Sequence, residues 1–456
     1  MNVTKTGRGL SGVDFGLIIL FLLGLYTHYT IQITATVPFP AAPSGIAGMA
    51  LLWRRRNDIT AGAFTGFMVV VLFYVMSILC ATDYSFLGRR FNGLIQITYS
   101  LVIGFTFFLT LTMGTRDQIA RLFLTSALII LVGCLLEQYG GLRPISDAVR
   151  NKIYSSGVYE ADTRDMLIYG HVRPKFFASE PSAVSLSYVI FVFAWLVTST
   201  WRWKLPAYVG LVGAGYVAVT GPTLLLMFVM LVPYELFIVG DRGKGGLGSI
   251  KLFRYARVAV VGLLLCVVAY FAAEMLFAKR LHEITSGTDP SFFYRVEGPA
   301  IAAQQVIAHY PIAGAGLTGE PFIEDVVVNA YIGSPNFSRD WTIASASSEL
   351  LINYFWLHWI YLGLFWGVLM VIVISLWLRA AGVRQVAFCW FVWAILGQSS
   401  GAYVGPMTWA IFFLCAAVAK LAAEQPVVAA RPVAPATFVA RMPIVRWRGP
   451  SPRLIR

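Results

Sequence analysis

Arg173-Pro-Lys-Phe-Phe-Ala-Ser-Glu-Pro-Ser-Ala-Val-Ser-Leu-Ser-Tyr-Val-Ile-Phe-Val-Phe-Ala-Trp-Leu-Val-Thr-Ser-Thr200 joins a charged approach to an apolar run over 181–200. A run of about 20 apolar residues is the length a helix needs to cross the hydrocarbon of a bilayer. Glu180 before Pro181 reads as a helix start, because proline gives up no needed N–H in the first turn and the carboxylate sits near the positive end of the helix dipole. Arg173 lies a short extended stretch upstream, placed to pair with Glu180 or to hold a phosphate beside the same helix end. Taken singly, either charge reads more simply as an interfacial anchor. The rest of the chain decides between the two.

The 456 residues are 58% hydrophobic and 12% charged, with a mean hydropathy of +0.72. That leaves too little polar surface for a soluble chain of this length, so the expected class is all-α and polytopic. Apolar segments fall at 14–32, 62–81, 94–113, 119–138, 181–200, 257–278, 349–377 and 404–422. A short helix over Ile46–Trp53, two helices within 205–240 turning at Gly221-Pro222, and another over 386–398 bring the expected number to about twelve spans. The first apolar run is expected to be a retained span, since no small-residue cleavage site follows a short core. Cys80, Cys134, Cys266, Cys389 and Cys415 all lie in apolar runs and read as packing residues.

The net charge of +13 is partitioned. Lys5/Arg8, Arg54–Arg56, Arg116/Arg121, Arg202/Lys204, the basic run Arg242–Arg257, Arg379/Arg384 and the arginines after Lys420 all fall in connections on one side. By the positive-inside rule that side is cytoplasmic and holds both termini. The cations therefore indicate membrane orientation, and no nucleic acid partner. The domain reading is one transmembrane unit, 1–422, followed by a basic, disordered cytoplasmic tail, 423–456, suited to an anionic leaflet.

The same topology puts two long polar stretches, about 139–180 and 279–348, on the opposite face. The first mixes Asp162, Arg164, Asp165, Arg173 and Lys175 with Tyr154, Tyr159 and Tyr169, more tyrosine than a solvated loop needs. The second carries Phe292-Phe-Tyr-Arg-Val-Glu297, then Val296, Ala300, Ala303, Ile307 and Tyr310 at helical spacing, predicting a helix from Pro299 to His309. Pro311-Ile-Ala-Gly-Ala-Gly316 then gives a turn where backbone can approach a ligand or another helix.

Arg173 with Phe177-Ala-Ser-Glu-Pro-Ser182, Tyr294-Arg295 with His309-Tyr-Pro-Ile-Ala-Gly-Ala-Gly316, and Ser347-Ser-Glu-Leu-Leu-Ile-Asn353 leading into a span with Gly363 and Gly367 together resemble the O-antigen polymerase and O-antigen ligase superfamily. The resemblance implies a GT-C-like membrane glycosyltransferase of the bacterial inner membrane. It further implies an undecaprenyl-diphosphate-linked oligosaccharide as donor, no nucleotide sugar, no cofactor, and a flippase and a chain-length regulator as partners alongside membrane lipids. Two departures matter. Ligases of the superfamily carry a histidine at the start of the span after the second loop, where this chain has Ser347 or Ser348; His358 lies further on, inside the apolar run, and reads as a hydrogen-bonded intramembrane histidine. Where the family often has Ser-Arg between two mid-chain helices, this chain has Thr220-Gly-Pro-Thr223.

Chemistry supplies its own argument. A departing lipid diphosphate develops negative charge, and arginine answers it best with paired donors on a permanent cation. Arg173 and Arg295 are the expected donor-binding residues, with Tyr294, Lys175, Gly314 and Gly316 beside them. Glu180 and Glu297 are the candidate catalytic bases, since a partly desolvated carboxylate can have its pKa raised towards the working pH. No Asp-x-Asp or His-x-x-x-His pattern suggests a metal site; Glu324-Asp325 reads as a solvated turn. Polymerisation is the favoured expectation, ligation to an acceptor the second. Transport or lipid flipping is the competitor from another class, since about twelve spans suit that too.

Overall fold

The computed structural model describes residues 9–34, 37–154, 162–239, 281–334, 350–399 and 401–424, with scattered positions between 262 and 278. Most of the expected span 257–278, the tail beyond 424 and Ser347/Ser348 lie outside the described residues. In chain order the helices are α1 (Gly12–Thr27), α2 (Ala42–Arg55), α3 (Ala61–Leu79), α4 (Leu87–Leu111), α5 (Arg116–Tyr139), α6 (Arg143–Ile153), α7 (Asp162–Tyr169), α8 (Pro181–Thr198) and α9 (Lys204–Val219). Then follow α10 (Pro222–Val239), α11 (Gly298–His309), α12 (Glu324–Ile332), α13 (Tyr354–Ala380), α14 (Val386–Gly397) and α15 (Pro406–Ala423). One antiparallel ribbon, Ile31–Thr34 with Val37–Phe39, turns the chain between α1 and α2.

Among the described residues, seven helices, α3, α4, α5, α8, α10, α13 and α15, are long and apolar enough to cross a membrane, and α1, α9 and α14 are shorter apolar helices. The chain is a multi-pass helical membrane protein. Local signals set several helix starts. Ser11 with Asp14 and Thr115 with Gln118 form capping boxes at α1 and α5, each closing two otherwise orphan N–H groups. Small residues then let helices meet closely: Gly104 of α4 faces Phe413 of α15, and Gly66 of α3 faces Trp377 of α13, whose indole N–H donates to Ala63 O at 2.8 Å.

Three elements differ from the sequence reading. The stretch 139–180, expected as a long polar loop, holds two helices, α6 and α7, and α6 turns Ser146 and Arg150 inward. α4 begins at Leu87, seven residues before the expected start at 94, because the buried Arg90 has its charge closed by carbonyls: Nη1 donates to Asp83 O and Nη2 to Ala315 O at 2.8 Å. Before α11, Phe293–Glu297 forms a wide π turn, and the buried face runs through Gly298, Ala302, Ala303 and Val306, one residue off the expected stripe at its end. A π turn carries one extra residue, which rotates the face that follows.

α13 is broken at Gly363 (φ 64°, ψ −170°). The N–H groups of Leu364 and Phe365 donate to Pro311 O at 2.8 and 3.2 Å, that of Trp366 to Ile312 O at 3.4 Å, and Ala315 N–H donates to Ile360 O at 2.8 Å. The Pro311–Gly316 turn therefore replaces the missing rungs of the helix, the condition under which irregular backbone survives inside a bilayer. The sequence offered a ligand or a helix as the neighbour of this turn, and a helix occupies it. Beside the break His358 is buried, Nδ1 3.0 Å from Tyr403 Oη and Nε2 3.1 Å from Gly367 O.

Candidate functional site

Gly170, at φ 75°, turns the chain back after α7, so Arg173 lands on the helix it has just left. Asp165 is fully buried there, and its Oδ1 accepts from both Nε and Nη2 of Arg173 at 2.9 Å, while the Arg173 backbone N–H donates to Oδ2 at 3.3 Å. The Tyr169 ring lies 4.7 Å from the guanidinium carbon, close enough for a cation–π contact. The sequence reading offered Arg173 either Glu180 or a phosphate; its salt bridge is with Asp165, which the turn at Gly170 brings within reach.

Between Arg173 and Glu180 the backbone is pinned by side chains from three helices. Phe176 and Phe177 occupy left-handed conformations (φ 33° and 63°), each costing about 1–3 kcal/mol for a residue with a side chain. The buried carboxylate of Glu137 on α5 accepts the N–H groups of Lys175, at 3.0 Å, and Phe176. Ser146 Oγ of α6 accepts Phe177 N–H at 3.1 Å. Arg150, also on α6, donates to Ala178 O at 2.7 Å and Ser179 O at 3.0 Å. Tyr26 of α1 donates to Phe176 O at 2.6 Å, and the hydroxyl of Tyr154 lies 3.0 Å from Phe177 O and 2.7 Å from Thr27 O. Burial pushes the Tyr154 phenol up to about 12, so it remains a donor at neutral pH.

Glu180 follows as the residue before α8, extended (φ −147°, ψ 158°), with Pro181 beginning the helix as the sequence predicts. Its carboxylate does not cap α8; it accepts from Ser182 Oγ and acts electrostatically on His28, just beyond α1. A Cβ on Gly221 would lie 2.6 Å from Ser185 Oγ, so the α9–α10 turn comes directly against α8. Thr220 within that turn is hydrogen-bonded to His171 at 3.1 Å.

These pieces bound an open cleft lined by Arg164, Asp165, Tyr169, Arg173, Glu180, Ser182, Gly221–Thr223, Ser291 and Arg295, among others. Three guanidinium groups face two carboxylates, a balance that favours an anion. Arg295 projects from the π turn, where Asn353 Nδ2 holds its carbonyl at 2.7 Å, and Arg164 donates to Ser291 Oγ at 3.1 Å.

Of the residues singled out from sequence, Arg173, Glu180 and Arg295 come together here. The others stand elsewhere. Lys175 is buried, with Nζ 2.9 Å from Asp162 Oδ1. Tyr294 packs on Phe293 and Tyr331, and Glu297 ends the π turn outside the cleft lining. Gly314 (φ 56°) meets Ile360 and Gly363 of α13, and Gly316 (φ 79°) would place a Cβ 2.7 Å from Arg90 Nε. Glu324 and Asp325 are exposed at the start of α12. The sequence reading passed over Arg164, Asp165 and Ser291 as site residues and set aside Thr220-Gly-Pro-Thr223 as a departure; the only signal for the first two was mixed charge among tyrosines. No model of a known protein family, no characterised protein and no solved structure matches this chain.

Proposed function

We propose that the chain polymerises undecaprenyl-diphosphate-linked oligosaccharide repeat units at the outer face of the bacterial inner membrane. The carrying observation is the cleft in which Arg173 and Glu180 meet Arg295, more than a hundred residues away in sequence, under net positive charge. In this reading the protein has about twelve spans with cytoplasmic termini, and both polar stretches face outward. A cysteine at Ser286 should then react with an impermeant thiol reagent in spheroplasts, and one at Asn57 should not, in a chain whose exposed Cys80 is replaced by Ser. Labelling in the opposite sense overturns the assigned face.

The acceptor hydroxyl attacks the anomeric carbon of the donor sugar, the bond to the diphosphate oxygen breaks, and the lipid diphosphate departs with the electron pair. One such displacement inverts the anomeric centre. Arg173 and Arg295 hold the diphosphate oxygens, and Asp165 with Tyr169 fixes the plane of the Arg173 guanidinium. Glu180 takes the hydroxyl proton.

The test is elongation of a lipid-linked repeat unit by the purified protein. Losing one charge-assisted contact costs about 1.5–3 kcal/mol, so Arg295→Ala should slow elongation roughly ten- to a hundredfold. Arg295→Lys should be nearly as slow, because an ammonium does not reproduce the paired donors. A Lys variant with a normal ladder removes Arg295 from the donor site. In a deletion strain, single repeat units held on lipid support polymerisation, whereas full-length polymer stranded on lipid points to a ligase.

Transport of a lipid-linked glycan is the competing reading from another class, drawn from the break in α13 beside the buried His358 and Glu320. Broken helices in transporters open their backbone to cargo. Here the freed groups are taken by the Pro311–Gly316 turn, which favours the enzyme.

A further inference from the structure

A second concavity adjoins the cleft and differs from it in character. It is an open groove bounded by α1 and α5, with Phe191 of α8 between them and Phe176 and Phe177 at one end. It exists because α1 packs chiefly on α2 and α5 chiefly on α8, so that α1 and α5 diverge. Ile19, Leu23 and Ile129 on its flanks are about half exposed, at 47%, 52% and 57%, which in a membrane means contact with lipid hydrocarbon. Two of its hydroxyls are already used: Tyr26 Oη donates to Phe176 O and Thr27 Oγ1 to Leu23 O at 2.9 Å.

The groove and the cleft share one strand of backbone. Arg173 and Glu180 line the cleft, while Phe176 and Phe177 between them line the groove. The two strained left-handed residues are what separates charge from aromatic surface within so few positions. Phe176 reaches the groove only because Gly133 of α5 leaves room for its ring. At the other margin Thr27 lines the groove, and the next residue, His28, lies in the field of Glu180.

We propose that this groove holds the hydrocarbon tail of the lipid whose anionic head occupies the cleft, and that the lipid arrives laterally between α1 and α5. An amphipathic occupant with a negative head matches both halves: net positive charge above, continuous apolar surface below. The inference rests on reading the cleft as a diphosphate site, and the two are separable by experiment.

The full-length protein in phosphatidylcholine nanodiscs is titrated with undecaprenyl diphosphate and, separately, with inorganic diphosphate. Ile129→Trp, which fills the groove, should weaken undecaprenyl diphosphate binding about tenfold or more, the effect of excluding about two methylenes from apolar surface, while inorganic diphosphate binds as before. Leu376→Trp, on the lipid-facing side of α13 at 59% exposure, should change neither. A photoreactive benzophenone side chain at Leu23 should cross-link undecaprenyl diphosphate, and Arg295→Ala should abolish that cross-link. Undiminished lipid affinity in Ile129→Trp, with loss in Arg295→Ala, overturns the groove and leaves the head site standing. Equal cross-linking to phosphatidylcholine, unaffected by Arg295→Ala, makes the groove an ordinary bilayer contact and also overturns it. Should wild type bind neither diphosphate, the reading of the cleft fails, and the groove assignment with it. If Ile129→Trp also loses inorganic diphosphate, it is misfolded, and the cross-link decides.

Discussion

Glu180→Gln is expected to insert and fold as wild type yet elongate glycan about 10²–10⁴ times more slowly, the usual consequence of removing a general base. Structure and catalysis separate cleanly at this position. The carboxylate does not cap α8 and its polar partner is Ser182 Oγ, a contact glutamine can keep through its amide oxygen. The start of the helix depends on Pro181 and on the extended backbone at Glu180, neither of which the substitution alters. The measurement is the rate of ladder formation at matched protein, alongside thermal unfolding in detergent. Unchanged unfolding with a lost ladder supports proton transfer to Glu180. A near-normal ladder excludes it as the base, and the proton must then pass to the donor's own phosphate, since Glu297 stands outside the cleft lining.

Gly314→Ala should have the largest effect on folding. The backbone at φ 56° disfavours any side chain, and a Cβ there would overlap the carbonyl oxygen of Ile360. The turn would have to withdraw from α13, exposing the N–H groups of Leu364, Phe365 and Trp366 to an apolar surrounding. Each unmatched donor costs about 1–3 kcal/mol, a loss of several kcal/mol in all. A markedly lower unfolding temperature, with most of the protein aggregated after extraction, is the expected result; a variant that melts with wild type shows that the turn is not what closes the break.

What could be read from sequence follows from how local each cause is. Long apolar runs declare spans because bilayer thickness sets their length, and α3, α5, α8 and α15 fall close to where hydropathy puts them. Glu180-Pro181 declares a helix start because the relevant geometry lies within one turn. Arg173 was legible as a cation near that start, but its partner was not: choosing Asp165 over Glu180 depends on the backbone sign at Gly170, which no charge pattern reveals. Gly314 and Gly316 were legible as points of close approach, whereas the surfaces they approach are distant in sequence: a break in a helix about fifty residues later for Gly314, and the buried Arg90 of α4 for Gly316. Glu137 was invisible, since a carboxylate that binds backbone N–H groups leaves no complementary charge to find; Arg150 has a local partner in Asp147, at 2.7 Å, but nothing in that pair points to the carbonyls of Ala178 and Ser179.

The pinned backbone from Lys175 to Ser179 bears on the order in which this protein matures. Apart from Ala178 N–H, which donates to Lys175 O at 2.8 Å, the amides and carbonyls described above find their partners on α1, α5 and α6, elements made before it. The two strained phenylalanines therefore take up their shape only once those earlier helices have been inserted and assembled. A nascent or wrongly oriented chain presents Arg173 and Glu180 on loose backbone, without the spacing of the cleft, so the cleft arrives only with completed topology.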